Sequence, residues 1–242
     1  MFLTILVASV AAIAGAIAAV TGFGVGSLLT PVLALGAGTK LAVAAISIPH
    51  LVGTAQRFWM LRRHVDRKVL WSFGGTSAAG GLVGAIFQSS FSSRALTIVF
   101  GMLLIAAGVA ELTGWMQRVR WGRRSAWVAG ALSGILGGMV GSQGGIRTGA
   151  MLGFNVPRES FVATAAVIAL FVDAARMPVY LITQWHDIAR VWPIVLVATG
   201  GVVIGTAVGR NILGRIPERT FRHAIAVLLV ILGTYMGISA IL

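Results

Sequence analysis

Cysteine is absent from this chain of 242 residues, and aspartate and glutamate together number only six. Without cysteine there is no disulfide framework, no thiolate metal site and no sulfur nucleophile. Charged residues make up 10% of the chain, hydrophobic residues make up 57%, and the mean hydropathy is +0.93. A soluble domain needs far more polar surface than this composition provides. We therefore expect one integral membrane domain.

Two sequence signals are also missing. No Gly-x4-Gly-Lys-Ser/Thr loop is present, so direct drive by ATP is not expected from this chain. No basic residue precedes the first apolar run, so we interpret residues 2–20 as mature structure and not as a cleaved signal peptide. Continuous apolar runs of roughly 20 residues, the length that crosses a bilayer as a helix, recur along the chain. They are predicted at 2–20, 25–37, 41–60, 69–88, 94–113, 125–140, 146–156, 160–183, 190–209 and 219–241.

The net charge of +13 is concentrated in three short loops, near residues 62–68, 118–124 and 210–222. The positive-inside rule places these loops in the cytoplasm and the nearly uncharged loops 89–94 and 184–190 outside. Short basic loops between spans do not indicate nucleic-acid binding. The expected location is a bacterial inner membrane, as a multi-pass protein in contact with the lipid bilayer.

The positions of these loops predict an inverted repeat. Because the loop near 120 is predicted in the cytoplasm and the loop near 187 outside, the chain between them must cross the membrane an odd number of times. A hairpin that enters and leaves on one side, followed by one crossing at 160–183, satisfies this count. The predicted fold is an all-α polytopic membrane protein with two inverted repeats, each a re-entrant broken helical hairpin plus three transmembrane helices. Repeat 1 is 1–113, a basic cytoplasmic linker is 114–124, and repeat 2 is 125–242.

Eight simple spans are the alternative, because residues 2–20 can also cross alone. That arrangement exports at least one basic loop. The repeat itself is supported by the alignment of the chain with itself. At an offset of 119 (176 − 57), Arg57 aligns with Arg176 and Gly26 with Gly145, and at 125 (219 − 94) Arg94 aligns with Arg219.

Glycine-rich stretches interrupt corresponding apolar segments of the two repeats, at Gly22-Phe-Gly-Val-Gly-Ser27 and at Gly141-Ser-Gln-Gly-Gly145. Irregular backbone at membrane depth is tolerated only inside the protein or along a wet cavity. Backbone N–H groups that open a new half-helix form an anion site. The predicted substrate-binding residues of the turns are Thr21, Gly24, Gly26, Ser27, Ser142, Gln143, Gly144, Gly145 and Ile146. Close helix packing is the alternative for such glycines, and is the interpretation for Gly80, Gly81, Gly84, Gly200, Gly201 and Gly205.

Arg57 and Arg176 are the charged candidates for substrate binding, one near each mouth of the route. Ionisable groups inside a span usually face an interior or a cavity, although Arg57 can also snorkel to the surface. Arg147 in the second turn either contacts the anion or ties a neighbouring carbonyl. Asp173 and His50 are candidate proton carriers, with an ion pair from Asp173 to Arg176 and a packing role for His50 as the alternatives.

These turns, with the proline of Gly22-Phe-Gly-Val-Gly-Ser-Leu-Leu-Thr-Pro31 and the small-residue helix Leu41-Ala-Val-Ala-Ala-Ile-Ser47, resemble the TauE/SafE sulfite exporter family. The second copy is Gly141-Ser-Gln-Gly-Gly-Ile-Arg-Thr-Gly-Ala150, followed by Ser160-Phe-Val-Ala-Thr-Ala165. The resemblance extends over nearly the whole chain. It implies an inner-membrane transporter of small sulfur-containing or organic anions. The chain departs from the pattern at Ala150, where the family usually repeats the proline, and at Arg147.

The predicted function is a secondary transporter, most simply an exporter, of a small anion such as sulfite or an organosulfonate by alternating access. A passive anion channel and an intramembrane enzyme are the alternatives. Hydrolysis needs a Ser–His or paired-carboxylate arrangement, and the core offers one mid-span histidine and one mid-span carboxylate. No enzyme activity, cofactor or metal is expected. The expected partners are the small anion and the bilayer, and a homodimer is possible.

Overall fold

The computed structural model describes residues 2–115, 123–142, 147, 151, 157–213 and 218–241. Within these residues the chain forms eight long helices and no strand. In chain order they are α1 (Phe2–Thr21), α2 (Val25–Leu61), α3 (Arg67–Ser90, with a π-helical turn at Leu70–Gly74), α4 (Ser93–Leu112), α5 (Arg123–Val140), α6 (Arg158–Arg190), α7 (Trp192–Leu213) and α8 (Glu218–Ile241).

Seven of these helices are long and apolar enough to cross a membrane, and the shorter α5 is apolar over Ser125–Val140. The predicted all-α polytopic membrane fold is therefore confirmed. Helix boundaries agree with the predicted segments to within a few residues, with two exceptions. The segment predicted at 146–156 lies almost entirely outside the described residues.

The exceptions are two long helices that contain breaks. In α2, Gly38 joins the predicted segments 25–37 and 41–60 with φ 75° and ψ 154°, a conformation that favours glycine. In α6, helix continues through the predicted loop 184–190 after a local distortion at Gln184, with φ −135° and ψ 18°. The buried Gln184 side chain donates from Nε2 to Gln88 Oε1 at 2.9 Å, which supports the distorted turn.

The first glycine turn connects two antiparallel helical segments. A Cβ added to Gly24 would lie 3.0 Å from Ile17 Cγ2, and one added to Gly36 would lie 3.8 Å from Leu3 Cδ2. Residues 2–37 therefore form a helical hairpin whose two ends lie together and whose tip is Gly22–Gly24. That this hairpin re-enters the membrane stays a prediction.

Helix pairing is the same when the two halves of the chain are exchanged. Helix α1 packs on α7 and α5 packs on α3, while α2 packs on α6 and α4 on α8. When each helix of the first half is exchanged with its counterpart in the second half (α1 with α5, α2 with α6, α3 with α7 and α4 with α8), the α1–α7 pair becomes the α5–α3 pair. The α2–α6 and α4–α8 pairs are each converted into themselves. Two repeats of either orientation would show this symmetric pairing, and the inverted repeat itself stays a prediction.

Small residues allow these helices to approach closely. A Cβ added to Gly84 would collide with the Ile135 carbonyl of α5, and one added to Gly205 would collide with the Ala12 backbone of α1. Gly80, Gly81 and Gly201 also face close neighbours, as the packing interpretation predicts. Gly200 is the exception, because no atom lies within 4 Å of its added Cβ.

Loops of like charge gather at the same end of the bundle. Lys40 Nζ donates to the Ser89 carbonyl at 2.7 Å, so the break in α2 lies beside the loop between α3 and α4. At the opposite end, His64 Nε2 lies 3.2 Å from Glu159 Oε2, and Arg222 pairs with Glu111 through two bonds of 2.7 and 2.9 Å. The basic loop 62–68 therefore shares its end with the start of α6 and of α8.

This grouping predicts which single cysteines react in intact cells. The chain has no native cysteine, so Lys68→Cys and Asp187→Cys each carry one thiol at opposite ends of the bundle. A membrane-impermeant maleimide is expected to label Asp187→Cys in intact cells and Lys68→Cys only after permeabilisation. The reverse pattern would overturn the assigned orientation.

The contact between α1 and α7 predicts a difference between two glycines of one helix. Gly205→Ala forces a methyl group into the Ala12 backbone and should destabilise the detergent-solubilised protein by about 1–3 kcal/mol. Gly200→Ala adds the same atom in open space and should change thermal unfolding little or raise its midpoint. Equal midpoints for the two variants would contradict the close α1–α7 contact.

Candidate functional site

Positive φ angles mark both glycine turns. Gly22 has φ 79° and Gly24 has φ 132°, and Gly141, which follows α5, has φ 74°. L-residues with side chains rarely adopt these angles, so glycine is needed where each helix breaks. Gly24 begins α2, and glycine has no side chain that could accept from the first-turn N–H groups of the helix.

The two turns meet inside the protein. A Cβ added to Gly26 would collide with the Gly141 carbonyl oxygen, so a side chain at Gly26 would push the turns apart. A Cβ added to Gly141 would lie 3.6 Å from Thr30 Oγ1. Thr30 is 1% exposed, and its hydroxyl has no hydrogen-bond partner among the described residues.

The tip of the first hairpin and Arg147 share one turn of α6. A Cβ added to Gly22 would lie 3.5 Å from Ala165 Cβ, and Arg147 Nη1 donates to the Ala165 carbonyl at 2.8 Å. Arg147 is 3% exposed. The carbonyl tie considered for Arg147 is therefore present, and it brings the guanidinium of the second repeat beside the glycine turn of the first.

Asp173 joins the two halves of the chain through its two carboxylate oxygens. Its Oδ2 lies 2.7 Å from His50 Nδ1 of α2, so the imidazole donates from Nδ1 to the carboxylate. Its Oδ1 accepts from Arg176 Nε at 3.0 Å and lies 2.8 Å from Nη2. The ion pair predicted between Asp173 and Arg176 is present. A proton-carrying role for Asp173 and His50 stays a prediction.

Arg176 also holds the end of α5. Its Nη1 donates to the Gly137 carbonyl at 2.5 Å, and the neighbouring Tyr180 hydroxyl donates to the Gly138 carbonyl. Carbonyls in the last turn of a helix carry a partial negative charge, and the Gly137 carbonyl also accepts from Gly141 N at 3.0 Å. All three nitrogens of Arg176 therefore have protein acceptors, and the residue fixes the helix that leads into Gly141.

Arg57 has a different environment. It is 2% exposed, so it is buried and does not snorkel to the surface. Its Nη2 donates to Thr54 Oγ1 at 2.7 Å, whereas its Nε and Nη1 have no hydrogen-bond partner among the described residues. A buried guanidinium with two unpaired nitrogens is costly unless a ligand completes it.

Positive charges exceed negative ones among the buried side chains of the described residues. Arg57, Arg147 and Arg176 are buried, and Asp173 is the only buried carboxylate among the described residues. Asp173 attracts all three arginines, and Arg57 and Arg147 also act on each other electrostatically. Among the buried side chains that the structure describes, three guanidiniums therefore stand against one carboxylate.

The other predicted site residues fall into three groups. The Thr21 hydroxyl is used within its own turn, where it donates to the Ile17 and Phe23 carbonyls at 3.0 and 2.7 Å. Ser27 is 5% exposed and Ser142 is half-buried, next to the turns. Gln143, Gly144, Gly145 and Ile146 lie outside the described residues. Binding of an anion by these residues stays a prediction.

Sequence reasoning missed Thr54 and Tyr180. Thr54 corresponds to Asp173 at the same offset of 119 (173 − 54), so each repeat places a polar residue three positions before its arginine. That signal was readable in the sequence. Tyr180 has no such signal, because it aligns with Leu61 and its contact depends on where α5 ends.

Comparison with known proteins identifies the family of the chain. The family model described as sulfite exporter TauE/SafE matches residues 7–236. No curated protein and no solved structure matches the chain. The matched range includes both glycine turns and all the buried arginines, and it covers nearly the whole sequence. The chain therefore belongs to the TauE/SafE sulfite exporter family of membrane transporters.

Proposed function

We propose that the protein is a secondary transporter that exports a small anion, such as sulfite or an organosulfonate, by alternating access. The observation that carries this proposal is the pair of buried arginines, Arg57 and Arg147, that have no carboxylate partner of their own among the described side chains. A charge buried without a partner is strongly unfavourable in a membrane interior. An anion that enters this region supplies the missing partner.

The proposed binding region lies between the first glycine turn and these two arginines. Arg147 and Gly22 contact the same residue of α6, and the N–H groups that begin α2 follow directly after Gly24. Backbone donors and the positive end of a helix dipole favour an oxyanion. A guanidinium adds charge-assisted hydrogen bonds to the same oxygens.

Arg176 has a positioning role in this proposal. Its nitrogens already donate to Asp173 and to the Gly137 carbonyl, so it holds the second turn in place and does not bind the anion directly. Arg57 aligns with Arg176 at the offset of 119, but its Nε and Nη1 have no hydrogen-bond partner among the described residues. The two aligned arginines, Arg57 and Arg176, therefore have different roles in this conformation.

Alternating access is supported by the pairing of the helices. The two hairpin helices α1 and α5 pack on α7 and α3, while the long helices α2 and α6 pack on each other between them. If the two hairpins exchanged their packing surroundings, the site would open to the opposite face of the membrane, as in transporters built from inverted repeats. The membrane potential can drive export, since it contributes about 2.3 kcal/mol per charge per 100 mV.

Flux measurements with one arginine variant test the site. In proteoliposomes, sulfite, sulfate, sulfoacetate and acetate are compared for the intact protein, Arg57→Gln and Arg62→Gln. Loss of a charged hydrogen-bond donor costs about 1.5–3 kcal/mol, so Arg57→Gln should transport roughly ten- to a hundredfold less efficiently. Arg62→Gln, at an exposed position, should transport normally.

Two outcomes of this experiment would count against the proposal. Normal flux by a folded Arg57→Gln protein would place the binding site elsewhere. Absence of flux of all four anions by the intact protein would remove the support for anion transport itself.

The contact between the turns predicts a second effect on transport. Gly26→Ala places a methyl group against the Gly141 carbonyl and should reduce sulfite turnover at least tenfold by separating the turns. Gly36→Ala, on the same hairpin, has its nearest contact at 3.8 Å and should retain turnover. Thermal unfolding of both variants controls for stability. Equal turnover would show that transport does not depend on the close approach of Gly26 and Gly141.

A further inference from the structure

We infer that a cavity between α2, α4 and α8 is the outer mouth of the transport route, and that an ion pair between Glu111 and Arg222 closes the matching place at the cytoplasmic end. This inference rests on the proposed transport by alternating access and adds the path of the anion. The cavity measures about 400 Å³ and extends along α2 from Pro31 to Thr39. At Thr39 it lies beside the first turns of α4, at the end of the bundle that is predicted to face outside.

The deep end of the cavity lies next to the proposed binding region. Of the α2 residues that line it, the buried Pro31 is nearest to the glycine turn. The preceding residue is Thr30, whose buried hydroxyl has no hydrogen-bond partner among the described residues. A Cβ added to Gly141 would lie 3.6 Å from that hydroxyl. From Pro31 to Gly38 a helix rises about 10 Å, so the cavity covers the distance between the turns and the outer end.

The polar groups of the cavity wall suit the passage of an anion. The exposed Arg94 lines the opening, and no acidic side chain is among the described lining residues. A guanidinium at an opening attracts anions to it. The wall also carries hydroxyl groups, on Thr39, Ser93, Thr97, Tyr235 and Ser239. Several of these are already used, because Thr97 donates to the Ser93 carbonyl at 2.8 Å and Ser239 to the Met236 carbonyl at 3.0 Å. A wall with few spare donors holds an anion weakly, which a route requires and a tight binding site does not.

Helices α4 and α8 contact each other symmetrically. A Cβ added to Gly108 would lie 2.6 Å from the Ala226 carbonyl oxygen, and one added to Gly233 would lie 2.6 Å from the Gly101 carbonyl oxygen. The offset of 125 found in the sequence exchanges these two contacts (233 − 108 and 226 − 101). The two helices run antiparallel, because the start of each lies beside the end of the other. Positions that are aligned at this offset therefore lie at opposite ends of the bundle.

An ion pair occupies the positions at the cytoplasmic end that correspond to the cavity wall. Thr97 and Met236 line the outer cavity, and the offset of 125 aligns them with Arg222 and Glu111 (222 − 97 and 236 − 111). Arg222 Nε donates to Glu111 Oε1 at 2.7 Å, and its Nη2 donates to Oε2 at 2.9 Å. Such a two-bond pair has a specific geometry as well as charge. One end of the α4–α8 pair is thus bridged while the other borders a cavity, as a transporter that is open to the outside requires.

Labelling of single cysteines tests the outer mouth. The chain has no native cysteine. Thr97→Cys therefore places one thiol on the cavity wall, and Ile98→Cys places one on the neighbouring residue, which does not line the cavity. The reagent is a small sulfonated maleimide, which is anionic and membrane-impermeant and forms a thioether that sulfite does not cleave. In intact cells it should label Thr97→Cys roughly tenfold faster than Ile98→Cys, because thiols react as thiolates in contact with water.

The same adduct tests whether the anion passes through the cavity. Purified Thr97→Cys protein is labelled, freed of reagent and returned to proteoliposomes. Its sulfite flux should fall roughly tenfold relative to the unlabelled variant, since a fixed negative charge in the route repels the anion. Ile98→Cys treated in the same way should transport sulfite as before. Ser239→Cys, on the α8 side of the cavity, is the second probe if Thr97→Cys does not fold.

Removal of the ion pair tests the cytoplasmic closure. Glu111→Gln in the Thr97→Cys protein removes the charge at nearly unchanged size, and the protein should leave the outward-open state more often. External labelling of Thr97→Cys should then slow about two- to fivefold, the range by which a partly exposed ion pair shifts an equilibrium. Exchange of the two charges, with Glu111→Arg and Arg222→Glu together, should restore most of the labelling rate.

The outcomes separate this inference from the transporter proposal. Equal labelling of the two cysteines, as expected if lipid fills the cavity, labelling of Thr97→Cys only after permeabilisation, or normal flux by its adduct would overturn the outer mouth. Unchanged labelling in a folded Glu111→Gln protein would overturn the closing role of the ion pair. Absence of anion flux by the intact protein, together with selective labelling of Thr97→Cys, would overturn the transporter proposal and not the outer opening.

Discussion

The burial of charge in a membrane interior is the constraint on which this structure depends. Asp173 is the point where that constraint is met, because it accepts from His50 of one half and from Arg176 of the other. Removal of Arg176 would leave the buried carboxylate without its counter-charge, which is costly in a low dielectric. Removal of His50 would leave one carboxylate oxygen without its donor. The same carboxylate also fixes Arg176 against the last turn of α5 and thereby sets the position of Gly141.

Glycine allows the second feature of the site, the meeting of two helix breaks. A broken helix exposes backbone donors, and such backbone is tolerated at membrane depth only inside the protein. Gly26 lies so close to the Gly141 carbonyl that no side chain fits between them. Close packing, considered above as one of two interpretations of these glycines, is therefore present, and anion binding by the backbone donors of the turns stays a prediction.

Much of the fold was predictable because its signals are local. The lengths of the apolar runs predicted the membrane-spanning helices, and the charges of the loops predicted which loops share an end of the bundle. The offset of 119 aligned Arg57 with Arg176. The continuation of α6 beyond the distortion at Gln184 was missed, because the apolar run ends there while the helix continues to Arg190. The meeting of His50 with Asp173 was missed because its partners are 123 positions apart, and nothing in either local sequence indicates the other.

Composition and glycine placement act within a few residues, and they are sufficient to fix the membrane environment, the helix breaks and the scarcity of acids. The alignment of the chain with itself also shows that Thr54 and Asp173 differ in charge at equivalent positions. Which arginine keeps nitrogens without a partner among the described residues depends instead on contacts between distant helices. Arg176 finds carbonyls at the end of α5, whereas Arg57 finds a single hydroxyl, and this difference arises from how separate helices pack. The guanidinium nitrogens that lack a partner among the described residues are a result of that packing.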